Sequence, residues 1–205
     1  MEFSSSPILY VMAADQEYGP ALRARITPLM TGVGPVEAAI ALTRALDTAA
    51  SKGTRPRYVV SLGSAGSARL EQTGVYQAVS VCYRDIDASP LGFAKGVVPF
   101  LDQPATLELG PRVPGLPAAT LSTGGNIISG AVYETIAEDM VDMETYAIAR
   151  VCQTFEVGLI AIRGISDGAA ELSVIEDWTR YLDVIDAKLA AAVDTIEAFV
   201  SRQTA

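Results

Sequence analysis

Three carboxylates stand out by their surroundings. Asp167 lies in Arg163-Gly164-Ile165-Ser166-Asp167-Gly168, at the end of the apolar run Leu159–Ile165. Glu144 lies in Val141-Asp142-Met143-Glu144-Thr145-Tyr146-Ala147, where a short apolar run passes into a helical pattern, and Glu17 follows the first apolar run in Ala13-Ala14-Asp15-Gln16-Glu17-Tyr18-Gly19. The chain of 205 residues contains no histidine. Ser-His-Asp and Cys-His catalysis, histidine-bearing zinc sites and imidazole proton shuttles are thereby excluded. Acid–base work falls to carboxylates, tyrosine, lysine or thiol, and a carboxyl group serves as an acid near neutral pH only where its surroundings raise its pKa. Each acid also has a plain structural use. Glu144 could complement a helix N-terminus, Asp167 could serve a turn before Gly168, and Glu17 could be a solvated loop acid.

The elements that must hold these acids are marked by apolar runs. Ile8–Ala14, Ile26–Thr31, Tyr58–Leu62, Val75–Tyr83, Ala119–Thr123 and Leu159–Ile165 read as strands. Pro35–Ala50 and Glu144–Phe155 read as helices, and a last helix runs from about Glu176 to Val200 with Trp178, Tyr181, Leu182, Ile185, Leu189, Ala192 and Ile196 on one face. The prolines from Pro90 to Pro117 mark a loop-rich excursion. Strands alternating with helices predict one α/β domain over residues 1–205 with a mostly parallel central sheet. In such sheets ligands bind beyond the carboxyl ends of the strands, where all three acids fall. Two glycine turns, Thr31-Gly32-Val33-Gly34 and Gly63-Ser64-Ala65-Gly66, would bring backbone N–H groups to the same crevice. Neither is a dinucleotide fingerprint or a Walker loop.

Fifteen Lys and Arg against 24 Asp and Glu give a formal charge of −9, which opposes a nucleic-acid partner. Cys82 and Cys152 have no metal-ligand spacing and read as buried thiols of a reducing compartment. No apolar run approaches the roughly 20 residues of a membrane span, and the N-terminal residues lack the pattern of a signal peptide. The expectation is a soluble, cytoplasmic protein without membrane partners.

The segments TGVGPVEAA (Thr31–Ala39), SLGSAGS (Ser61–Ser67), VDMETYAIA (Val141–Ala149) and RGISDGA (Arg163–Ala169) together resemble the purine nucleoside phosphorylase and nucleosidase superfamily, most of all the 5′-methylthioadenosine/S-adenosylhomocysteine nucleosidases. The resemblance runs from the first strand to the last helix. It implies a three-layer αβα fold around a mixed, mostly parallel twisted sheet, and hydrolysis of the bond between adenine and a 5′-thioribose. It implies no cofactor and no metal, a homodimer, a purine nucleoside as substrate and a place in methionine salvage.

Residue by residue, the resemblance casts Asp167 as the general acid toward adenine N7, with Ser166 beside it. Glu144 grips the ribose hydroxyls, with Asp142 and Met143 beside it. Glu17 is the acid that positions and deprotonates the attacking water, with Asp15 as the alternative register. Arg163 and Ser64 match groups around that water and the ribose, Gly32 and Gly63 the glycine turns, and Ile127 and Ile128 the adenine-binding segment. Leu91, Phe93 and Pro99 match a loop that reaches into a partner's 5′-thioalkyl pocket. Val174, Ile175 and Trp178 fall where the family has a lid, although Trp178 also fits plain packing of the last helix.

Two departures bear on specificity. Ile127 stands where the family usually has a stacking phenylalanine, and only six positions separate Arg25 from Thr31, where members carry a hairpin-like insertion. A phosphorylase of the same superfamily is the main alternative. Its bacterial members place an arginine three residues before the serine of the glycine turn, a place held here by Ser61. A silent nucleoside-binding protein of the same fold is the other alternative, and the joint presence of Glu17, Glu144 and Asp167 argues against it.

Overall fold

In the computed structural model, which describes residues 7–168 and 170–204, side-chain alternation along the strands sets the layering. Residues 1–6, which lack a signal-peptide pattern, and Ala169 of the last motif lie outside the described residues. The strands are β1 (Ile8–Met12), β2 (Leu29–Met30), β3 (Tyr58–Gly66), β4 (Val75–Tyr83), β5 (Thr106–Glu108), β6 (Ala118–Thr123), β7 (Met140–Asp142) and β8 (Gly158–Asp167). They form one sheet in the order β2-β1-β3-β7-β6-β4-β5, and β8 pairs with both β3 and β4, closing a ring through β3, β7, β6, β4 and β8. The ladders β1·β2, β1·β3, β3·β8, β4·β6 and β6·β7 are parallel, whereas β3·β7, β4·β5 and β4·β8 are antiparallel. The mixed, mostly parallel sheet of the sequence reading is therefore present.

The helices are α1 (Pro20–Arg23), α2 (Pro35–Ser51), α3 (Thr145–Thr154), α4 (Ile175–Thr179) and α5 (Leu182–Thr204). Val11, Val59 and Ala161 face one side of the sheet and pack with Leu42 and Leu46 of α2 and Ile148 of α3. Their strand neighbours Met12, Val60 and Ile160 face the other side and pack with Leu22 of α1 and with Ile185 and Leu189 of α5. Full burial of each such Leu or Ile side chain contributes roughly 1.5–3 kcal/mol. The two apolar layers thus clamp the sheet between helices and leave its strand ends to carry polar groups.

Several boundaries differ from the sequence reading. Gly63-Ser64-Ala65-Gly66 is not a turn, because β8 supplies ladder partners out to Gly66, with an irregularity after Ala65. β8 likewise continues past Ile165 to Asp167, so Asp167 is a strand-end residue rather than a turn residue. Of the run Ile26–Thr31 only Leu29–Met30 is strand, and Pro28, lacking an N–H, cannot donate to a ladder. The proline-rich excursion contains β5, antiparallel to β4. The last helix is broken between Thr179 and Leu182. Trp178 and Tyr181 pack on the same core as Leu182 and Ile185, so the apolar spacing runs through the break and conceals it.

Candidate active site

A cavity of about 520 Å³ opens beyond the carboxyl ends of β1, β4 and β8 and along the end of β3. Glu17, Ser64, Asp142, Met143, Glu144, Asp167, Ile127, Ile128 and Trp178 all line it. A small recess beneath is lined by Gly63, Arg163 and Ser61, and shares Glu17, Ser64 and Glu144 with the main cavity.

Glu17 ends a 3-10 turn, Asp15–Glu17, that follows β1. Its buried carboxylate receives the Ser64 backbone N–H at 2.7 Å and the Ser64 hydroxyl at 2.6 Å, both on Oε1. The Trp178 indole N–H donates in turn to Ser64 Oγ at 2.9 Å. Burial pushes the Glu17 carboxyl above its ordinary pKa, and the bonds from Ser64 oppose the rise. Asp15, the alternative register, is an exposed residue paired with Arg23 at 2.7 Å, so Glu17 is the one that faces the cavity. The segment is anchored from behind by buried Asp186 of α5, which accepts the N–H groups of Ala21 at 2.8 Å and Leu22 at 3.1 Å.

Glu144 precedes α3, but its side chain makes no cap bond to that helix. It accepts instead the N–H of Gly34 at 2.8 Å. Gly34 has φ of +97°, a conformation suited to glycine, and Pro35 then starts α2. Burial, followed by the charge of Asp142, pushes the Glu144 carboxyl up to about 7. Asp142 itself is tied into a buried polar knot. Its Oδ2 pairs with Arg163 at 2.9 Å and its Oδ1 accepts the Thr123 hydroxyl at 2.6 Å. Oδ2 also receives the backbone N–H and hydroxyl of Thr145, so Asp142, rather than Glu144, caps α3.

Asp167 faces the same space from the end of β8. Ser166 donates to its Oδ1 at 2.6 Å and the Tyr133 hydroxyl to its Oδ2 at 3.3 Å. Burial raises its pKa against those two bonds. Opposite stands the segment after β6. Arg84, at the end of β4, donates to the carbonyls of Ser122 at 2.6 Å and Asn126 at 2.7 Å. Ile128 is buried against Tyr133 and Val141, whereas Ile127 is 72% exposed at the rim.

Some sequence-predicted residues are not brought to the cavity wall. Ser166 lies behind Asp167, and Gly32 sits one position before the lining residue Val33. Leu91, Phe93 and Pro99 lie in the excursion after β4 and do not line the cavity of their own chain, with Leu91 exposed. The sequence reading missed Arg84, Tyr133, Asn126 and Thr145. Arg84 had a signal, since it directly follows the strand candidate Val75–Tyr83; Tyr133 lies in a 3-10 segment, Gly130–Thr135, with no periodicity to mark it.

Residues 127–202 match the model of the phosphorylase superfamily. A 5′-methylthioadenosine/S-adenosylhomocysteine nucleosidase of Geobacillus kaustophilus is 32% identical over 167 residues, 71% of this chain and 68% of that protein. The chain belongs to this nucleosidase family. Among solved structures, the Neisseria meningitidis nucleosidase in complex with methylthio-immucillin-A superposes with a TM-score of 0.76 at 22% identity, over 92% of this chain and 97% of that one. A futalosine hydrolase mutant of Helicobacter pylori gives 0.77 at 18% identity, over 93% and 98%. Both share the fold. As a nucleosidase the chain is an N-glycosidic hydrolase, and among the described residues no helix is long and apolar enough to cross a membrane.

Proposed function

We propose that the chain hydrolyses the N-glycosidic bond of 5′-methylthioadenosine and S-adenosylhomocysteine, releasing adenine and a 5-thioribose, with 5′-deoxyadenosine a further candidate substrate. The observation that carries this reading is the convergence of Glu17, Glu144 and Asp167 on one cavity, each with its carboxyl pKa raised by burial. Protonated Asp167 donates to adenine N7 as the bond from C1′ to N9 breaks. The carboxylate it leaves keeps the Ser166 and Tyr133 hydroxyls as donors, so its developing charge is met without rearrangement. Glu144 holds the ribose hydroxyls, and an anion beside the forming oxocarbenium stabilises it. Glu17 takes a proton from the water whose oxygen bonds to C1′.

Hydrolysis is favoured over phosphorolysis by the state of the two arginines at the site. A phosphate dianion needs cationic donors. The Arg163 guanidinium is spent on Asp142, Ser61 and Thr145, and the terminal nitrogens of Arg84 on backbone carbonyls. Arg23 and Arg25 pair with Asp15 and Asp194 on the surface. An adenine-release assay over the three nucleosides, with and without phosphate, tests the proposal. Phosphate-independent release is expected, and release only with added phosphate overturns it.

Exposed Val36, Ile40, Leu91 and Phe100 support a homodimer in which the loop bearing Leu91, Phe93 and Pro99 meets a partner's site. The free thiols Cys82 and Cys152 suit a cytoplasmic place in methionine salvage, and the single sheet shared by both cores supports reading residues 1–205 as one domain.

A further inference from the structure

Trp178 stands on α4, which a break before Leu182 separates from α5, and its indole lines the cavity. The ring does more than fill space. Its N–H donates to Ser64 Oγ at 2.9 Å, and Ser64 Oγ donates to Glu17 Oε1 at 2.6 Å. An indole nitrogen is a donor only, and a hydroxyl has one proton to give. With the indole N–H occupying a lone pair of Ser64, the hydroxyl proton is directed to Glu17. The Ser64 backbone N–H adds a second bond to the same Oε1 at 2.7 Å, and no bond to Oε2 is made among the described residues.

We propose that Trp178 is a positioning residue for the water-activating step: through Ser64 its indole N–H fixes the Glu17 carboxylate by Oε1 and presents Oε2 to the attacking water. The proposal rests on the reading of Glu17 given above and assigns a polar task to a residue that the resemblance would treat as an apolar lid. A chain of donors that points one way strengthens each bond in it. A carboxylate held by one oxygen also loses less rotational freedom when the other takes its proton. The groups that face Glu17 from neighbouring elements are Arg163, Asp142 and Glu144, and none of them touches the indole nitrogen.

The test is steady-state kinetics of adenine release from 5′-methylthioadenosine, from acid to alkaline pH, for the wild type, W178F, S64A, S64A/W178F and E17Q. Trp178→Phe keeps an aromatic ring and removes the donor. It is expected to lower kcat from a few-fold to about tenfold, the span of one neutral hydrogen bond, with KM within about twofold. The acid limb of its pH profile should move upward, because a less polarised Ser64 opposes the burial of Glu17 less well. In the Ser64→Ala background the same substitution should cost nothing further, since its effect passes through that hydroxyl. Equal loss from W178F in both backgrounds, or a W178F profile matching the wild type, overturns the proposal while leaving Glu17's role intact. Near wild-type turnover of E17Q overturns the reading of Glu17 beneath it, and with it the proposal.

Discussion

The two ends of the cavity are built on different principles. At the end proposed for the reaction, Glu17, Glu144 and Asp142 are each no more than 8% exposed, and their oxygens are held by Ser64, Gly34, Thr123, Thr145 and Arg163. Those partners come from strands and helix starts whose places are set by the two apolar layers. At the end proposed for base recognition the wall is the segment after β6, fastened by Arg84 through backbone carbonyls, with Ile127 largely in solvent. Carbonyl bonds hold a chain in place without dictating its side chains. The carboxylates proposed for the chemistry are therefore held by buried, regular elements, and the residues proposed for base recognition by a segment whose side chains are free to vary.

If that contrast is right, Asp167→Asn brings the largest loss. An amide has the shape of the acid and no proton to give, so turnover should fall by about 10²–10⁴ while nucleoside binding persists. Single-turnover adenine release together with equilibrium binding of the nucleoside checks both halves. Arg163→Met comes next and is read in stability. It leaves Asp142 buried without its cation, a change that costs about 3–5 kcal/mol. A denaturant midpoint close to that of the wild type would show that the polar knot is not what holds the reacting end together.

The pH dependence of stability follows from Glu144 and is smaller. Its carboxyl is raised from 4.5 to about 7 by burial, so the folded protein binds that proton more tightly than the unfolded chain. The contribution is fully present below about pH 4.5 and is lost as pH rises through about 7; Glu17 and Asp167 act in the same direction. Relative to Glu144→Gln, the wild type should lose up to about 3 kcal/mol between pH 4.5 and 7, measured as diverging Tm values. Parallel Tm curves for the two proteins would remove Glu144 from the set of strained acids.

How far the sequence carried differs between the two ends for physical reasons. β4 matches its apolar run residue for residue, and α2 extends the expected helix by one, since proline, glycine and polar residues bound both. That Glu17, Glu144 and Asp167 line one cavity is legible because the carboxyl end of a strand is a position readable in one dimension. Arg84 obeys the same rule, directly following β4, but its charge alone does not single it out as an acid or base. Tyr133 and the link from Trp178 to Ser64 depend on chain segments 34 and 114 residues away from their partners, distances at which local pattern carries no information. The break between α4 and α5 was hidden because the apolar face is continuous across it. Legibility thus followed period and strand order, and failed where one long-range hydrogen bond decided the geometry.

The smallest effect is expected at Ile127, and it tests the recognition end directly. With 72% of its surface exposed, this side chain has little packing to lose, so Ile127→Ala should change KM by no more than about threefold and leave kcat alone. Ile127→Phe probes the opposite direction. An aromatic face at this rim position can stack on a purine, an interaction of about 0.5–1.5 kcal/mol, and KM should then fall by a few-fold with kcat again unchanged. Both outcomes are read from initial rates over a range of nucleoside concentrations. A hundredfold loss of kcat in Ile127→Ala would mean that the rim takes part in aligning the leaving group against Asp167. The division between a buried reacting end and a permissive recognition end would then have to be abandoned, because the wall fastened by Arg84 would itself belong to the chemistry.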